Sequence, residues 1–368
     1  MKVIVSGGGT GGHIFPAIAI ANSIKRRHED ADILFVGAQG RMEMEKVPAA
    51  GYQIIGLPIS GLQRKLTLSN IIKNIQLPFK IMASNRKVRK VIEEFNPDIV
   101  VGVGGFASEP TLKTATKIGY KTLLQEQNSY AGLTNKLLAK SANKICVAYE
   151  GMERFFTKDK IVITGNPVRR DIEFNNSTLE ESRAHFGIEP NHKTILSIGG
   201  SLGARSINEM ILTNLNAIAT NNIQLIWQTG TSMYEQAVEA VNKAGLEKMI
   251  KVHKFISRMD YAYTVADIII SRAGAISISE LCLVGKPAVL IPSPNVAEDH
   301  QTKNAMALVN RQAALMVKDN ECKIQGIAVA MQLLNDSEKQ ETMRRNISKM
   351  AYRDAANLIV DEIEKIIK

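Results

Sequence analysis

Residues 2–25 read KVIVSGGGTGGHIFPAIAIANSIK, which is a short apolar run, a glycine-rich turn and a helical pattern in succession. The apolar run at residues 3–6 predicts a buried strand, and the apolar spacing along residues 16–25 predicts a helix after it. A strand that passes through a glycine turn into a helix is typical of parallel sheets covered by helices on both faces.

The same succession recurs along the chain in two series, separated by Gly165-Asn166-Pro167. The first series has strand-like runs at residues 3–6, 33–36, 99–103, 122–124, 144–147 and 161–164. The second has them at residues 194–198, 224–228, 251–253, 268–271 and 288–291. This repetition predicts an α/β fold with two doubly wound units in tandem, joined near residues 165–170. From about Asp336 the sequence is charged and helical.

The composition is that of a globular protein with enough residues for two cores. The chain has 368 residues, of which 45% are hydrophobic and 22% charged, and a domain takes about 150 residues. These values exclude a disordered, collagen-like or disulfide-stapled chain. The three cysteines predict reduced thiols in a cytoplasmic protein. Neither a signal peptide nor a membrane-spanning helix is predicted.

The excess of basic over acidic side chains is confined to the first part of the sequence. Lys and Arg number 46 against 36 Asp and Glu, a formal net charge of +10. Residues 1–166 hold 23 basic and 13 acidic side chains, whereas residues 167–368 hold 23 of each. Such a basic field indicates an anionic partner, which charge alone leaves open as nucleic acid, anionic lipid or a phosphorylated substrate. A surface that only keeps the protein in solution is the alternative.

Four glycine-rich turns each follow a predicted strand and precede a predicted helix, at residues 7–13, 104–108, 199–205 and 272–277. The N–H groups of such turns approach an anion at a helix N-terminus, where the helix dipole also favours negative charge. Because ligands of doubly wound sheets bind beyond the strand C-termini, the turns predict anion-binding sites in both units. The alternative for any single turn is a tight connection without a ligand.

Gly7-x-Gly9-x-x-Gly12 formally matches the dinucleotide fingerprint, so a nicotinamide or flavin enzyme has to be considered. The acidic residue that this fingerprint needs at the end of the second strand is missing, because residues 36–39 read VGAQ. A P-loop is excluded because no Gly-Lys-Ser/Thr follows the glycines. Asp30-Ala31-Asp32 has the pattern of a metal-binding carboxylate pair, but its place just before a strand favours a solvated turn.

Seven motifs together resemble a known family. They are GGTGGH at 8–13, GGF at 104–106, EQN at 126–128, GNPVR at 165–169, GGS at 199–201, the 272–280 loop and DHQ at 299–301. In this order they are similar to the family 28 glycosyltransferases that add N-acetylglucosamine to lipid I in peptidoglycan synthesis. The resemblance implies a GT-B fold, with two Rossmann-like doubly wound domains that face a cleft. It also implies inverting transfer from UDP-N-acetylglucosamine that gives lipid II, without a metal or other cofactor.

The resemblance further implies the residues that bind the donor. They are Thr10, Gly11, Gly12, Asn128, Arg169, Ser201, Ile256, Ala275, Ile276, Glu280 and Gln301. By the resemblance, the Ile256 backbone pairs with uracil and Glu280 holds the ribose hydroxyls. The diphosphate is held by Ser201 and by the N–H groups of Ala275 and Ile276, while Gln301 and Asn128 fix the sugar. The alternatives are an exposed helix-face charge at Glu280, a plain N-cap at Ser201 and a solvated arginine pair at Arg169–Arg170.

Displacement at the anomeric carbon needs a base for the acceptor hydroxyl and groups that stabilise the departing UDP. His13 is the candidate base because it ends the glycine turn at a helix N-terminus, where the dipole favours the neutral imidazole. The alternative for His13 is to orient the turn or the acceptor phosphates. Glu126 is the second candidate base.

The resemblance implies that residues 1–166 bind the acceptor and the membrane, with a C-terminal helix at about 346–368 packed on them, and that residues 167–345 bind the donor. Residues 62–90 combine apolar and basic side chains, among them Lys73, Phe79 and Lys80. This combination predicts peripheral contact with anionic lipid, and the resemblance implies that the lipid is the cytoplasmic face of the inner membrane. Pro78 interrupts the helical pattern there and favours a loop or bent helix that presents Phe79. Packing of these apolar residues on the sheet is the alternative.

Two other functions remain to be compared. A nucleic-acid-binding module needs aromatic side chains among the basic ones, but Phe79 is the only aromatic residue from Gly61 to Arg89, so nucleic acid is not expected as a partner. A UDP-N-acetylglucosamine 2-epimerase or another glycolipid glycosyltransferase is the alternative enzyme. The motifs at 126–128 and 299–301 favour the lipid I enzyme.

Overall fold

The computed structural model describes residues 1–61, 77–200 and 202–368, which form two compact units. The N-terminal unit comprises Met1–Val168 and Asp354–Lys368, and the C-terminal unit comprises Arg169–Arg353. Each unit has one parallel sheet with helices packed on it. The predicted α/β architecture of two doubly wound units is therefore confirmed.

The sheet of the N-terminal unit has the strand order β3-β2-β1-β4-β5-β6-β7. Its strands are β1 Lys2–Ser6, β2 Asp32–Ala38, β3 Gln53–Leu57, β4 Ile99–Gly102, β5 Lys121–Glu126, β6 Lys144–Val147 and β7 Ile161–Ile163. β1 pairs in parallel with both β2 and β4, so the strand order reverses between β1 and β4. The turns that follow these two strands therefore meet at the switch point, where ligands of such sheets bind.

The sheet of the C-terminal unit has the order β10-β9-β8-β11-β12-β13. Its strands are β8 Lys193–Ile198, β9 Ile223–Gln228, β10 Ile250–His253, β11 Ile268–Ser271, β12 Ala288–Leu290 and β13 Leu315–Met316. β8 pairs in parallel with β9 and β11, so this unit has its own switch point. All four residues of β11 are buried, because helices cover both faces of the sheet.

Helices alternate with the strands throughout the described residues. The α-helices are α1 Gly11–Arg27, α2 Glu43–Ala49, α3 Leu77–Phe95, α4 Ser108–Lys117, α5 Leu133–Leu138, α6 Arg170–Glu173, α7 Leu179–Phe186, α8 Arg205–Thr213, α9 Leu215–Thr220, α10 Tyr234–Lys243, α11 Met259–Val265, α12 Ala275–Val284, α13 His300–Val309, α14 Cys322–Asn335, α15 Ser337–Ser348 and α16 Ala355–Ile367. Short 3-10 turns lie at Met152–Arg154, Lys158–Lys160, Thr231–Met233 and Ala297–Asp299. Within the described ranges, no helix is long and apolar enough to cross a lipid bilayer.

The C-terminal stretch differs in detail from the helix predicted from about residue 346. α15 ends at Ser348 in the C-terminal unit, and α16 begins at Ala355 in the N-terminal unit. Asp354, which precedes α16, has a φ of 59° and therefore interrupts the helical path. α16 packs on α1, where Arg27 contacts Asp361 at 2.5 Å and Glu364 at 2.8 Å.

The segment around Pro78 lies at the edge of the described residues. Pro78 and Phe79 belong to α3, which the structure describes from Leu77 to Phe95. Phe79 is exposed on this helix, as expected for a residue that the segment presents. The part of the predicted loop or bent helix that precedes Leu77 lies outside the described residues.

Candidate active site

In the N-terminal unit, the glycine turns after β1 and β4 lie against each other. Gly105 has a φ of 83°, and a Cβ at this position would lie 2.4 Å from the Gly8 carbonyl oxygen. Gly104 has a φ of 88°, and its Cβ would lie 3.0 Å from Nε2 of His13. Side chains are excluded at both positions, which leaves space for the close approach of the turns and for the imidazole ring.

His13 lies half-buried in the first turn of α1. Its Nδ1 is 3.1 Å from the Gly8 carbonyl oxygen and 3.3 Å from the Thr10 hydroxyl oxygen. Because a carbonyl oxygen only accepts hydrogen bonds, we assign the proton of the neutral ring to Nδ1. The lone pair is then on Nε2, the nitrogen beside Gly104, so Nε2 is the atom that can accept a proton.

The predicted donor-binding residues Thr10, Gly11 and Gly12 lie at the start of the same helix. Thr10 is the N-cap residue, but its side chain makes no capping hydrogen bond to α1, and no acidic side chain lies in the first turn. Thr10 and Gly12 are exposed. A helix start of this kind presents N–H groups and the positive end of the dipole to an anion.

Glu126, the second candidate base, is a buried carboxylate surrounded by hydrogen-bond donors. The Oε1 of Glu126 accepts hydrogen bonds from the backbone N–H of Asn128 at 3.0 Å and from Nδ2 of Asn128 at 3.2 Å. Its Oε2 accepts from the Gly132 N–H and from Asn135 Nδ2, both at 2.9 Å. Burial raises the pKa of Glu126, whereas these bonds act to lower it. The four donors hold the carboxylate against Asn128 and the segment after it, and the role of Glu126 as a base stays a prediction.

In the C-terminal unit, Glu280 is a buried carboxylate held by two other side chains. One oxygen lies 3.4 Å from Nε of Arg169, and the other accepts from the Tyr263 hydroxyl at 2.9 Å. Burial raises the pKa of Glu280, and Arg169 and Tyr263 act against this increase. The alternatives of an exposed helix-face charge at Glu280 and of a purely solvated Arg169 are therefore excluded.

Gln228, the last residue of β9, connects two predicted parts of the donor site. Its Oε1 accepts from the N–H of Ile256 at 2.8 Å, and its Nε2 donates to the Gly200 carbonyl oxygen at 3.0 Å. The resemblance assigns the backbone of Ile256 to uracil, and the N–H of this backbone is thus occupied by a side chain in this structure. Pairing with a base through this N–H requires exchange of the bond to Gln228.

Ala275 and Ile276 begin α12, whose N-cap residue Gly274 has no side chain to cap the helix. Their N–H groups are therefore arranged as an anion-binding helix start. Gln301 lies close by, because its Oε1 accepts from the N–H of Ala273 at 3.2 Å and of Ser293 at 2.8 Å. Its Nε2 is the group of this amide that remains to contact a sugar. Ser201 lies outside the described residues.

Three residues of these arrangements are not predicted by the sequence analysis: Tyr263, Gln228 and Glu43. Tyr263 and Gln228 belong to none of the motifs. Glu43 is fully buried and accepts from the N–H groups of Gly9 and Ala38, each at 3.0 Å. Glu43 lies four residues after Gln39, beyond the strand end where the dinucleotide fingerprint requires its acidic residue. In the parts of the chain that the structure describes, no group of three or more His, Cys, Asp or Glu is suited to a metal ion.

Comparisons with known proteins place this site in context. Residues 3–147 match the glycosyltransferase family 28 N-terminal domain, and residues 194–359 match the family 28 C-terminal domain. The chain is 57% identical over 366 residues to the UDP-N-acetylglucosamine–N-acetylmuramyl-(pentapeptide) pyrophosphoryl-undecaprenol N-acetylglucosamine transferase of Parabacteroides distasonis, covering 100% of this chain and 98% of the relative. The transferase of the same name from Porphyromonas gingivalis is 52% identical, with 100% and 96% covered.

Solved structures agree with the sequence comparison. The crystal structure of MurG from Acinetobacter baumannii has a TM-score of 0.79 to this chain at 26% identity, and the match covers 99% of each chain. A UDP-GlcNAc 2-epimerase from Neisseria meningitidis, bound to UDP-GlcNAc, has a TM-score of 0.67 at 17% identity, with 99% and 100% covered. The latter similarity shows a common fold alone. From its two matched domains and its full-length relatives, this chain belongs to glycosyltransferase family 28.

Proposed function

We propose that this chain transfers N-acetylglucosamine from UDP-N-acetylglucosamine to the muramyl 4-hydroxyl of lipid I, with inversion at the anomeric carbon, to give lipid II. The observation that carries the proposal is the buried Glu280 carboxylate, held by Arg169 and Tyr263 at the end of a family motif. Full-length relatives whose names state this transfer support it.

The C-terminal unit binds the donor in this proposal. Glu280 accepts the ribose hydroxyls, because a carboxylate fixed by two neighbours retains further lone pairs for hydroxyl donors. The start of α12, with the N–H groups of Ala275 and Ile276, holds the diphosphate, and Ser201 assists it. The Nε2 of Gln301 and the amide of Asn128 contact the sugar.

His13 acts as the general base. Its Nε2 removes the proton of the muramyl hydroxyl, whose oxygen forms the new bond to the anomeric carbon as the bond to UDP breaks. The Nδ1–H stays bonded to the Gly8 carbonyl oxygen and keeps the imidazolium oriented. The start of α12 stabilises the negative charge that develops on UDP. The reaction in this proposal therefore needs no bound metal ion for that purpose.

The transfer is tested directly with radiolabelled UDP-N-acetylglucosamine and a lipid I analogue that carries a short prenyl chain. We expect label in the lipid product only when the analogue is present, and the disaccharide bond in the β-1,4 configuration. Conversion of the nucleotide sugar in the absence of the analogue would contradict the proposal and favour an epimerase.

In this proposal the N-terminal unit docks as a peripheral protein on the cytoplasmic face of the inner membrane, because the undecaprenyl chain of the acceptor stays in the bilayer. Phe79 and Met82 on α3 are 72% and 53% exposed, and Lys80 lies between them in the sequence. Apolar side chains next to cations favour an anionic lipid surface. The predicted contact Lys73 lies outside the described residues.

Flotation with vesicles tests this docking. The variant Phe79→Ser/Met82→Ser should lose most of its binding to anionic vesicles, while the wild type binds them, fails to bind zwitterionic ones and is released at high salt. Ile324→Ser is the matched control, because Ile324 is 86% exposed but belongs to the C-terminal unit. Equal flotation of the double variant and the control would exclude this surface.

A further inference from the structure

The Gly8–Gly9 peptide group is held from both sides by side chains. Its carbonyl oxygen accepts from Nδ1–H of His13 at 3.1 Å, and its N–H donates to Oε2 of Glu43 at 3.0 Å. The carbonyl and the N–H of a trans peptide point in opposite directions. Glu43 and His13 are therefore connected through one planar, polar group.

The carboxylate of Glu43 is built into the fold. Glu43 is the first residue of α2, it is fully buried, and its Oε1 accepts from the Ala38 N–H at the end of β2 at 3.0 Å. Two glycines provide its space, because a Cβ at Gly8 would lie 2.2 Å from Oε1 and a Cβ at Gly37 would lie 2.7 Å from Cγ. A buried carboxylate is costly unless it is hydrogen-bonded, and here backbone N–H groups supply those bonds.

We infer that Glu43 is a positioning residue for His13 and that Glu43 acts on the imidazole through the Gly8–Gly9 peptide group. The inference rests on the proposed role of His13 as the base. In the Ser-His-Asp triad a carboxylate accepts directly from Nδ1–H of the histidine. In this chain a peptide group is interposed between the carboxylate and the imidazole.

The physical reason is the polarisation of hydrogen bonds in a chain. A carboxylate that accepts from the peptide N–H increases the negative charge on the peptide carbonyl oxygen. The Gly8 oxygen then holds Nδ1–H more strongly, which keeps the lone pair on Nε2 of His13 and stabilises the imidazolium that forms. No proton moves along the peptide: the proton of the acceptor hydroxyl ends on Nε2 of His13.

Other charged side chains lie on the elements around this turn. Arg41 stacks on the ring of Phe106, 5.9 Å from its centroid. Glu126 is occupied by the donors of Asn128, Gly132 and Asn135. Neither Arg41 nor Glu126 is altered in the variants that follow. A change in the titration of His13 in these variants therefore reports the loss of the Glu43 charge.

The first test is a histidine NMR titration of the full chain labelled with 15N, in which His13→Gln assigns the resonance of His13. In the wild type, the neutral ring should carry its proton on Nδ1. Glu43→Gln should lower the measured pKa of His13 by about 0.5–1 pH unit, because it removes a negative charge that favours the imidazolium. Glu45→Gln is the control, since Glu45 lies exposed on the same helix and pairs with Lys46.

Two results would overturn the inference. A neutral wild-type ring with its proton on Nε2 excludes the bond to Gly8, and this measurement needs no variant to fold. A folded Glu43→Gln chain in which His13 titrates as in Glu45→Gln excludes the coupling. Neither result depends on activity, whereas failure of the proposed function is the absence of transfer by the wild type.

Kinetics separate a positioning role from a structural one. Glu43→Gln should lower kcat about 10-fold and leave the donor KM unchanged, with the acidic limb of the pH profile moved to lower pH. The double variant Glu43→Gln/His13→Gln should have the same kcat as His13→Gln alone, because Glu43 acts only through the imidazole. Losses that multiply in the double variant would show that Glu43 acts independently of His13.

Discussion

The helix starts at α1 and α12 follow the same succession of strand, turn and helix but differ in the charge built into them. At α1, the preceding turn lies against a buried carboxylate, because Gly9 donates to Glu43 on α2, and the imidazole of His13 lies on the other side of the turn. At α12, the N-cap residue is glycine, the first turn has no acidic residue, and Glu280 lies further along the helix. Neither helix start has a side-chain cap or an acidic residue in its first turn, so the difference between them is the buried carboxylate beside the turn that precedes α1.

This difference indicates how the two units divide the reaction. A carboxylate beside the first turn stabilises positive charge on an imidazole, which suits proton removal from the acceptor. An uncapped helix start stabilises negative charge, which suits the diphosphate of the donor. In the proposed function the two helix starts therefore act on charges of opposite sign, and variants at each start should affect different steps.

The largest effect is expected for His13→Ala. Loss of the general base should lower kcat by about 10²–10⁴-fold. His13→Gln separates the two functions of the ring, because its amide can still donate to the Gly8 carbonyl oxygen but cannot act as the base. Both variants should be about equally slow in the transfer assay. Recovery of most of the wild-type kcat in His13→Gln would show that the residue only orients the turn.

Glu280→Ala should have the next largest effect, on donor binding rather than on the fold. Loss of a carboxylate with two contacts to the ribose should cost about 2–3 kcal/mol, or ~30–150-fold in kcat/KM. The control is Glu239→Ala, because Glu239 is exposed and pairs with Lys243 four residues along its helix. Unchanged donor KM and kcat in Glu280→Ala would remove Glu280 from the site.

Tyr263→Phe should have a smaller effect of the same kind. It removes one hydrogen bond to Glu280 while Arg169 remains, so the donor KM should rise by about 3–10-fold. The lost bond favours the carboxylate, so the pKa of Glu280 should rise further. As the pH is lowered, donor binding should therefore begin to weaken at a higher pH in Tyr263→Phe than in the wild type. A pH profile of KM identical to that of the wild type would contradict this assignment.

The smallest effect is expected for metal removal. Because helix N–H groups stabilise the departing diphosphate, EDTA should leave the transfer rate unchanged, and magnesium or manganese should not increase it. Asp30→Asn/Asp32→Asn should likewise behave as the wild type. A rate that EDTA abolishes and a divalent cation restores would bring this Asp-x-Asp pair back into consideration.

Local patterns were sufficient to predict most of the fold. The stretch from β1 to α1 combines a buried run, glycines and helical spacing, all of which depend on neighbouring residues. β3 and β13 were not predicted: each is an edge strand, one contains Gly56 and the other has only two residues. The break between α15 and α16 was also missed, because it depends on the conformation of Asp354 and on packing against α1.

The candidate site was predictable only in part, for a similar reason. The resemblance identified residues within motifs, such as Glu280 and His13, but not the side chains that hold them. Tyr263 contacts Glu280 across 17 positions, and Glu43 contacts Gly9 across 34. Such partners are brought together by the sheets, and a tyrosine or a glutamate outside a motif gives no signal of its contact.

The division between the two helix starts is tested most directly by calorimetric titration of UDP into the wild type, His13→Ala and Glu280→Ala. UDP contains the uracil, ribose and diphosphate but neither the sugar nor the acceptor. The dissociation constant should be unchanged in His13→Ala and raised about 30–150-fold in Glu280→Ala. Weakened UDP binding in His13→Ala, together with wild-type binding in Glu280→Ala, would contradict the account.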